Sequence, residues 1–281
     1  RARDWPRVLA LAFDHRVQLE QLADECGAER ARIPDLKRRI AAGARRAMEG
    51  RLDAGAIVDA RYGADVLAEL TGSGWWIARP VERPGSRPLE LEEGPDAGLA
   101  LRTWPREQVV KCLIFYHPED HPDLKRQQLD TLQRVYLACV ATGHELMVEV
   151  LAPKGVGAAG AGLPRALAEI YAQGIRPDWW KLQPEPKAAA WGDIADAIER
   201  HDPHCRGVML LGLDAPAEAL AEHFRAAASH PVCKGFAVGR SIFREPAEKW
   251  LRQRIDDSEL ERQVSESYRH FAELWLRQRS A

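Results

Sequence analysis

A lysine stands inside a short apolar run that turn residues close on both sides. In residues 177–184 (PDWWKLQP), Lys181 follows two tryptophans, and glycine and proline residues flank the run. Turn residues this close together predict a short buried strand rather than a helix. Burial disfavours the charged form of an amine and frees it to attack a carbonyl group. The alternative is a side chain that follows the strand and ends in water.

Charged residues also stand in or directly after other apolar runs. Lys111 lies in VVKCLIFY, Glu149 lies in MVEVLAP, and Asp14 follows LAF. Side chains two residues apart share one face of a strand, so Lys111, Glu149 and Lys181 would meet if those faces point inward. Charged groups are rarely buried without partners, so this meeting indicates either a function or a satisfied cluster of ions.

These residue types together predict imine chemistry. Lys181 would attack a ketone, and Lys111 would favour the neutral form of that amine through like-charge repulsion. Glu149 would carry protons during loss of water and cleavage of a carbon–carbon bond, and Asp14 would polarise or deprotonate a substrate hydroxyl group. A protonated imine accepts the electron pair of the bond that breaks. We therefore expect neither a metal nor an organic cofactor.

Eight apolar runs alternate with amphipathic helical patterns and would position these residues. The strand candidates cover residues 8–13, 54–59, 75–78, 109–116, 146–151, 178–182, 207–212 and 235–238. The helical patterns include residues 35–49, 64–70, 121–142, 163–173, 188–201 and 215–229. Such units predict one α/β domain over residues 1–281, a parallel (β/α)8 TIM barrel. An open doubly wound sheet is the alternative, but the chain lacks the GxGxxG and P-loop sequences that would favour it.

Three segments depart from this alternation. Residues 80–105 are rich in Pro, Glu and Gly and predict a long loop or hairpin, either over the site or as a solvated connector. Residues 154–162 (KGVGAAGAG) predict a mobile loop, because their glycine spacing does not match a phosphate cradle. Residues 245–279 predict a helix that covers the barrel wall, with a subunit contact as the alternative.

A second set of residues is suited to binding a substrate. Arg240 follows Gly239 after the last strand, where such barrels bind phosphate with an arginine and the first N–H groups of a helix. Pairing with a nearby carboxylate is the alternative for Arg240. Arg16, Arg61 and Arg79 are candidates for a second anionic group or for structural ion pairs. The other candidates at strand ends are His15, Asp59 and Gly212.

Composition narrows the class of protein. The net charge of −2 over 281 residues gives no basis for binding nucleic acid or an anionic membrane. With no apolar run of membrane-spanning length and no recognisable secretory leader, we expect a cytoplasmic protein. Five cysteines without CxxC spacing predict reduced thiols. The chain begins at Arg1, and we expect either a trimmed chain or a domain of a longer polypeptide.

Taken in order, the motifs resemble those of the tagatose 1,6-bisphosphate aldolase family of class I aldolases. They are LAFDHR, IVDARYG, VVKCLIFY, MVEVLAP, DWWKLQPEP and GFAVGRSIF. The sequence is more similar to the aldolase-like domain fused behind the sugar kinase of bacterial inositol catabolism, of which RPVERPGSRPLELE is typical. The resemblance covers essentially the whole chain.

The resemblance implies a role for each matching residue. Lys181 matches the lysine that forms the imine, and Glu149 matches the acid/base glutamate. Lys111 matches the helper lysine, Asp14 the aspartate after the first strand, and Arg240 the phosphate-binding arginine. The chain departs from the family in two places: it has a histidine after Asp14 where glutamine is frequent, and LLGLDAP lacks a phosphate-contacting serine.

The inositol-linked domain implies a particular reaction. It is cleavage of 5-dehydro-2-deoxygluconate 6-phosphate to dihydroxyacetone phosphate and malonate semialdehyde. Arg240 would then bind the phosphate, and Arg79 or Arg16 the acid end. The expected partners are the phosphorylated sugar and a fused or associated sugar kinase, with a homo-oligomer left open.

Two other functions stay open at this point. A metal-dependent aldolase would use His117 and His121 of HPEDHP, but the proline after each histidine disfavours the helical turn that would bring them together. The other is a non-catalytic domain that binds a sugar phosphate and regulates or scaffolds a kinase. Such a domain would need neither Lys181 nor Glu149.

Overall fold

The eight predicted strands form a closed parallel barrel. The computed structural model describes residues 4–153, 162–212, 214 and 216–280. Each strand pairs with the next in chain order, and the eighth pairs with the first. This topology confirms the (β/α)8 barrel and rules out the open sheet. The strands are β1 Val8–Ala12, β2 Ala54–Ile57, β3 Trp76–Pro80, β4 Gln108–Phe115, β5 Leu146–Leu151, β6 Trp179–Leu182, β7 Gly207–Leu211 and β8 Cys233–Val238.

Helices surround this barrel. Those over the first four strands are α1 Val17–Glu25, α2 Ile33–Ala47, α3 Ala60–Leu70 and α4 Ala97–Leu101, with a 3-10 turn at Arg30–Arg32. Those that follow are α5 Pro122–Thr142, α6 Gly162–Ala172, α7 Ala188–His201, α8 Ala217–Ala228, α9 Arg240–Leu251 and α10 Asp257–Ser280. The sequence patterns did not identify α1 or α4. The mobile loop predicted for residues 154–162 lies outside the described residues except for Gly162, which begins α6.

The single helix predicted over residues 245–279 is wrong, because two helices occupy this part of the chain. Gln253 has a φ of 57°, a left-handed conformation that no α-helix continues through. A new helix then begins where Asp256 Oδ1 accepts a hydrogen bond from Glu259 N at 2.8 Å. The second helix covers the barrel wall as expected: the Tyr268 hydroxyl donates to Leu9 O at 2.5 Å, and Trp275 is fully buried.

Inward-pointing side chains divide the barrel lumen into two halves. Val109, Met147, Trp179 and Met209 belong to one buried cluster inside the barrel, near the amino ends of the strands. Because side chains alternate along a strand, residues two positions later also point inward, closer to the carboxyl ends. The half of the lumen near the amino ends of the strands is packed with apolar groups. Open space for a ligand therefore lies at the carboxyl ends.

None of the five cysteines, all of which lie in the described part of the chain, forms a disulfide bond. Among the residues described, no helix has both the length and the apolar character needed to cross a membrane.

Candidate active site

Lys181 and Glu149 face each other across two adjacent strands. They are register partners of β6 and β5, each two residues beyond a buried lumen residue, and therefore point into the barrel. Lys181 Nζ lies 3.0 Å from Glu149 Oε1. Both residues are buried, at 5% and 4% exposure. The strand pattern thus brings an amine and a carboxylate into direct contact out of bulk water.

Lys111 lies among three carboxylates. Its Nζ is 3.1 Å from Asp14 Oδ2, 2.8 Å from Glu82 Oε1 and 3.0 Å from Glu149 Oε2. The contact with Glu149 is an ion pair without hydrogen-bond geometry. Burial by itself would lower the pKa of Lys111, but Asp14, Glu149 and Glu82 outweigh it and raise that pKa well above its ordinary value. Lys111 therefore carries a full positive charge at neutral pH.

The neighbouring carboxylates are ionised for the same reason. Burial acts to raise the pKa of Asp14, yet the charge of Lys111 and weaker contributions from other cationic groups lower it far below its usual range. Burial also acts to raise the pKa of Glu149, and Lys111 and Lys181 reverse the shift. Two carboxylates able to accept protons thus lie beside the two lysines.

His15 is a neutral side chain at the edge of this cluster. Burial lowers its pKa to about 3, against an opposing effect of Asp14. Its ring meets the edge of Phe243 at a centroid distance of 5.6 Å. A Cβ atom at Gly239 would lie 2.8 Å from His15 Cε1 and 2.2 Å from Ala12 O, so only glycine permits this approach of α9 to β1.

A cavity of about 220 Å³ opens over the cluster at the carboxyl ends of the strands. Asp214 and Glu82, which were not among the predicted site residues, lie on its wall, with Pro84 and Gly85 of the segment after β3. That segment therefore lies over the site. The predicted site residues that line this cavity are Asp14, His15, Arg16, Lys111, Glu149, Lys181, Gly212, Gly239 and Arg240.

Arg240 begins α9 at the wall of the cavity. Its Nη1 atom is 3.2 Å from Asp214 Oδ2, and Arg244 Nη1 lies 2.9 Å from the same oxygen. Arg240 therefore pairs with a carboxylate, which was the alternative, and also lines the cavity; phosphate binding by Arg240 stays a prediction. The helix N-terminus beside it adds backbone N–H groups and a partial positive charge.

Three predicted binding residues do not reach the cavity. Asp59 is completely buried and caps α3, where its Oδ2 accepts a hydrogen bond from Tyr62 N at 2.8 Å. Arg61 is exposed and pairs with an acidic residue of α1. Arg79 stacks on Trp104, with its Cζ 3.8 Å from the ring centroid. These contacts give all three residues structural partners outside the cavity.

Arg16 lines the cavity, but its guanidinium group already forms ion pairs with two carboxylates. It is 3% exposed and contacts Glu82 and Glu92. Burial acts to lower the pKa of Arg16, and Glu82 leads the charges that raise it instead. This arrangement makes Arg16 a link between the loop and the barrel.

The histidines of HPEDHP lie apart from the cavity. His121 precedes α5 and accepts a hydrogen bond from Asp123 N at 3.3 Å, and His117 accepts one from Glu119 N at 3.2 Å. Among the described residues, no group of three or more His, Cys, Asp or Glu side chains has a metal-binding arrangement.

The fold and the cavity define the class of protein as a (β/α)8 barrel with its site at the carboxyl ends of the strands. The chain belongs to the family described as "uncharacterized protein conserved in bacteria (DUF2090)", which matches residues 1–279. A similar solved structure is that of Cgl0159 from Corynebacterium glutamicum, with 14% sequence identity and a TM-score of 0.58. The similarity covers 94% of this chain and 88% of that one and shows the fold alone. No curated protein matches the sequence.

Proposed function

We propose that the chain is a class I aldolase that cleaves a ketose phosphate through an imine on Lys181. The observation that carries the proposal is the 3.0 Å contact of Lys181 Nζ with Glu149 Oε1 at the wall of the cavity. Formation of an imine needs a nucleophilic amine and a group that moves protons beside it. A domain that only binds sugar phosphates needs neither.

The proposed reaction uses four side chains. Lys181 gives a proton to the Glu149 carboxylate and adds to the ketone as the neutral amine. A second proton moves from the nitrogen to the new alkoxide, and Glu149 returns its proton to the resulting hydroxyl group, which leaves as water and leaves a protonated imine. Asp14 removes the proton of the β-hydroxyl group, and the electron pair of the adjacent carbon–carbon bond passes to the imine to form an enamine. Protonation of the enamine and hydrolysis then release the second product and restore the amine. Lys111 stays charged among its carboxylates and lies 3.0 Å from Glu149, the group that moves these protons.

We further propose 5-dehydro-2-deoxygluconate 6-phosphate as the substrate, cleaved to dihydroxyacetone phosphate and malonate semialdehyde. The sequence resemblance to the inositol-linked aldolase domain supports this choice. The phosphate would bind at Arg240 and the N-terminus of α9. Because Arg79 lies outside the cavity and Arg16 contacts two carboxylates, we assign the acid end to neither. A cytoplasmic sugar kinase, fused or associated, would supply the phosphate.

Reduction by sodium borohydride tests the imine directly, because it converts an imine into a stable secondary amine. With dihydroxyacetone phosphate present, we expect a mass increase confined to the peptide that carries Lys181, and no increase in Lys181→Met. Lys125→Met, which alters a lysine of α5, serves as the matched control and should trap normally. Absence of an adduct while calorimetry still detects binding would make the chain a sugar-phosphate-binding domain. An adduct on another lysine would refute the assignment to Lys181.

Removal of the Arg240 guanidinium group should weaken phosphate binding. We expect Arg240→Gln to raise KM about 10- to 100-fold with little change in kcat, since a hydrogen bond to a charged group contributes about 1.5–3 kcal/mol. Arg244→Gln is the matched control, because Arg244 contacts the same Asp214 oxygen but does not line the main cavity. Equal increases in KM for both variants would show that phosphate binds elsewhere.

A further inference from the structure

Glu82 is a buried carboxylate in which both oxygen atoms have partners. It is 3% exposed and lies just after β3. Its Oε1 atom is 2.8 Å from Lys111 Nζ, and its Oε2 atom accepts a hydrogen bond from Leu113 N at 3.2 Å. Lys111 and Leu113 point to the same side of β4. Glu82 thus binds the lysine and the strand that carries it.

The backbone around Glu82 is held as firmly as its side chain. Arg16 Nη1 donates to Glu82 O at 3.0 Å, and Arg16 Nη2 lies 3.3 Å from Glu82 Oε1. Arg16 also contacts Glu92, which follows Leu91, and an isolated antiparallel bridge joins Leu91 to Glu82. Because the loop is held both by Arg16, at the start of α1, and by β4, the Glu82 carboxylate has little freedom to leave Lys111.

We propose that Glu82 is a positioning residue, whose carboxylate holds the Lys111 ammonium group between Asp14 and Glu149 and keeps it charged. The Lys111 ammonium group donates hydrogen bonds to Asp14 and Glu82, and Glu149 Oε2 lies 3.0 Å away as an ion-pair partner. Glu149 in turn contacts both Lys111 and Lys181. A change at Glu82 is therefore transmitted to Lys181 through two contacts.

Charged and titratable side chains from several elements at the carboxyl ends of the strands lie near Lys111. The charged or titratable groups that face it are Asp14, His15, Arg16, Glu82, Glu149 and Lys181. Glu82 is the one of its three carboxylate partners that comes from the loop after β3, where no catalytic residue was expected.

Substitution of Glu82 by glutamine keeps the shape of the side chain and removes its charge. An opposite charge within about 4–6 Å shifts a pKa by roughly 1–3 units, so its loss should lower the pKa of Lys111. Lys111 then loses its proton at a lower pH. Reductive methylation with formaldehyde, which reacts with neutral amines, should therefore label Lys111 of Glu82→Gln about tenfold faster or more at pH 9, as read by peptide mass mapping.

Glu92→Gln is the matched control. Glu92 contacts the same guanidinium group of Arg16 but does not contact Lys111, so labelling of Lys111 should stay at the wild-type rate. Glu82→Asp keeps the charge and withdraws it from Lys111, and should give an intermediate labelling rate; it replaces Glu82→Gln as the test if that variant does not fold. Unchanged labelling in the Glu82 variant, or an equal increase in Glu92→Gln, would overturn the inference.

The catalytic consequence rests on the proposed aldolase function. If Lys181 forms the imine, Glu82→Gln should lower kcat about 100-fold, the effect of displacing a catalytic group by roughly 1 Å. The alkaline limb of its pH–rate profile should also move to lower pH, since Lys111 loses its charge earlier. Failure of the wild-type protein to trap an imine would refute the aldolase function, while the labelling of Lys111 still decides whether Glu82 positions it.

Discussion

Substitution of Glu149 by glutamine is expected to lower kcat for the proposed cleavage by about 10²–10⁴-fold, the range for loss of a general acid–base. Glutamine has nearly the same shape, and its amide oxygen can still accept a hydrogen bond from Lys181. It cannot take up a proton from the attacking amine. Single-turnover kinetics should therefore show slow imine formation and slow cleavage, with binding of dihydroxyacetone phosphate changed little.

A matched control lies near the opposite end of the same strand. Glu145 precedes β5, and its Oε2 accepts a hydrogen bond from Trp179 Nε1 at 2.9 Å, below the packed half of the lumen. Glu145→Gln removes a partly buried carboxylate without touching the cavity, so kcat should stay within about twofold of wild type. If Glu149→Gln retained kcat as well, proton transfer would belong to another group and Asp14 would be the next candidate.

The cluster of Lys111, Glu149 and Lys181 was predictable because it depends on two regular periods. Alternation along each strand assigns Lys111, Glu149 and Lys181 to one face, and the strand–helix rhythm makes β4, β5 and β6 neighbours. Both patterns are local in sequence. Closure of the barrel then places the Glu149 carboxylate in contact with both Lys111 and Lys181.

The partners of Arg79 and Glu82 could not be predicted in the same way. Arg79 meets Trp104, 25 residues later in the chain, because the segment after β3 folds back over the barrel. The contacts of Glu82 with Arg16 and Lys111 join positions 66 and 29 residues apart. No period or spacing encodes such contacts. The sequence patterns therefore predicted neither the packing of Arg79 on Trp104 nor the contacts of Glu82.

The sequence contains a pattern from which the buried ion pair of Lys37 with Asp59 can be predicted. Lys37 stands on the apolar face of α2, beside Ile33, Leu36 and Ile40, all of them buried. A lysine on the buried face of a helix requires a partner. An aspartate directly before a helix, as Asp59 is before α3, is typical of an N-cap. Together the two features would have identified Asp59 as structural.

Substitution of Lys37 by methionine is expected to lower the free energy of unfolding by about 3–5 kcal/mol, the cost of breaking a buried ion pair from one side. Lys37 and Asp59 are both fully buried and in contact. Lys37 Nζ also donates to Phe13 O at 2.7 Å and to His15 O at 3.1 Å. Burial acts to lower the pKa of Lys37, and Asp59 opposes it. Methionine would leave a buried carboxylate and two carbonyl groups without this donor.

Urea denaturation measures the effect, and two further variants separate its causes. Lys125→Met breaks a pair with Glu169 that is 3.0 Å long but only partly buried, so it should cost less than about 1 kcal/mol. The double variant Lys37→Met/Asp59→Asn should be more stable than Lys37→Met alone, because no unpaired charge remains inside. Equal stability of Lys37→Met and wild type would contradict the buried pair. Since the two carbonyl groups flank Asp14 in sequence, the loss of Lys37 should also disturb Asp14, which couples the stability of this part of the barrel to the proposed chemistry.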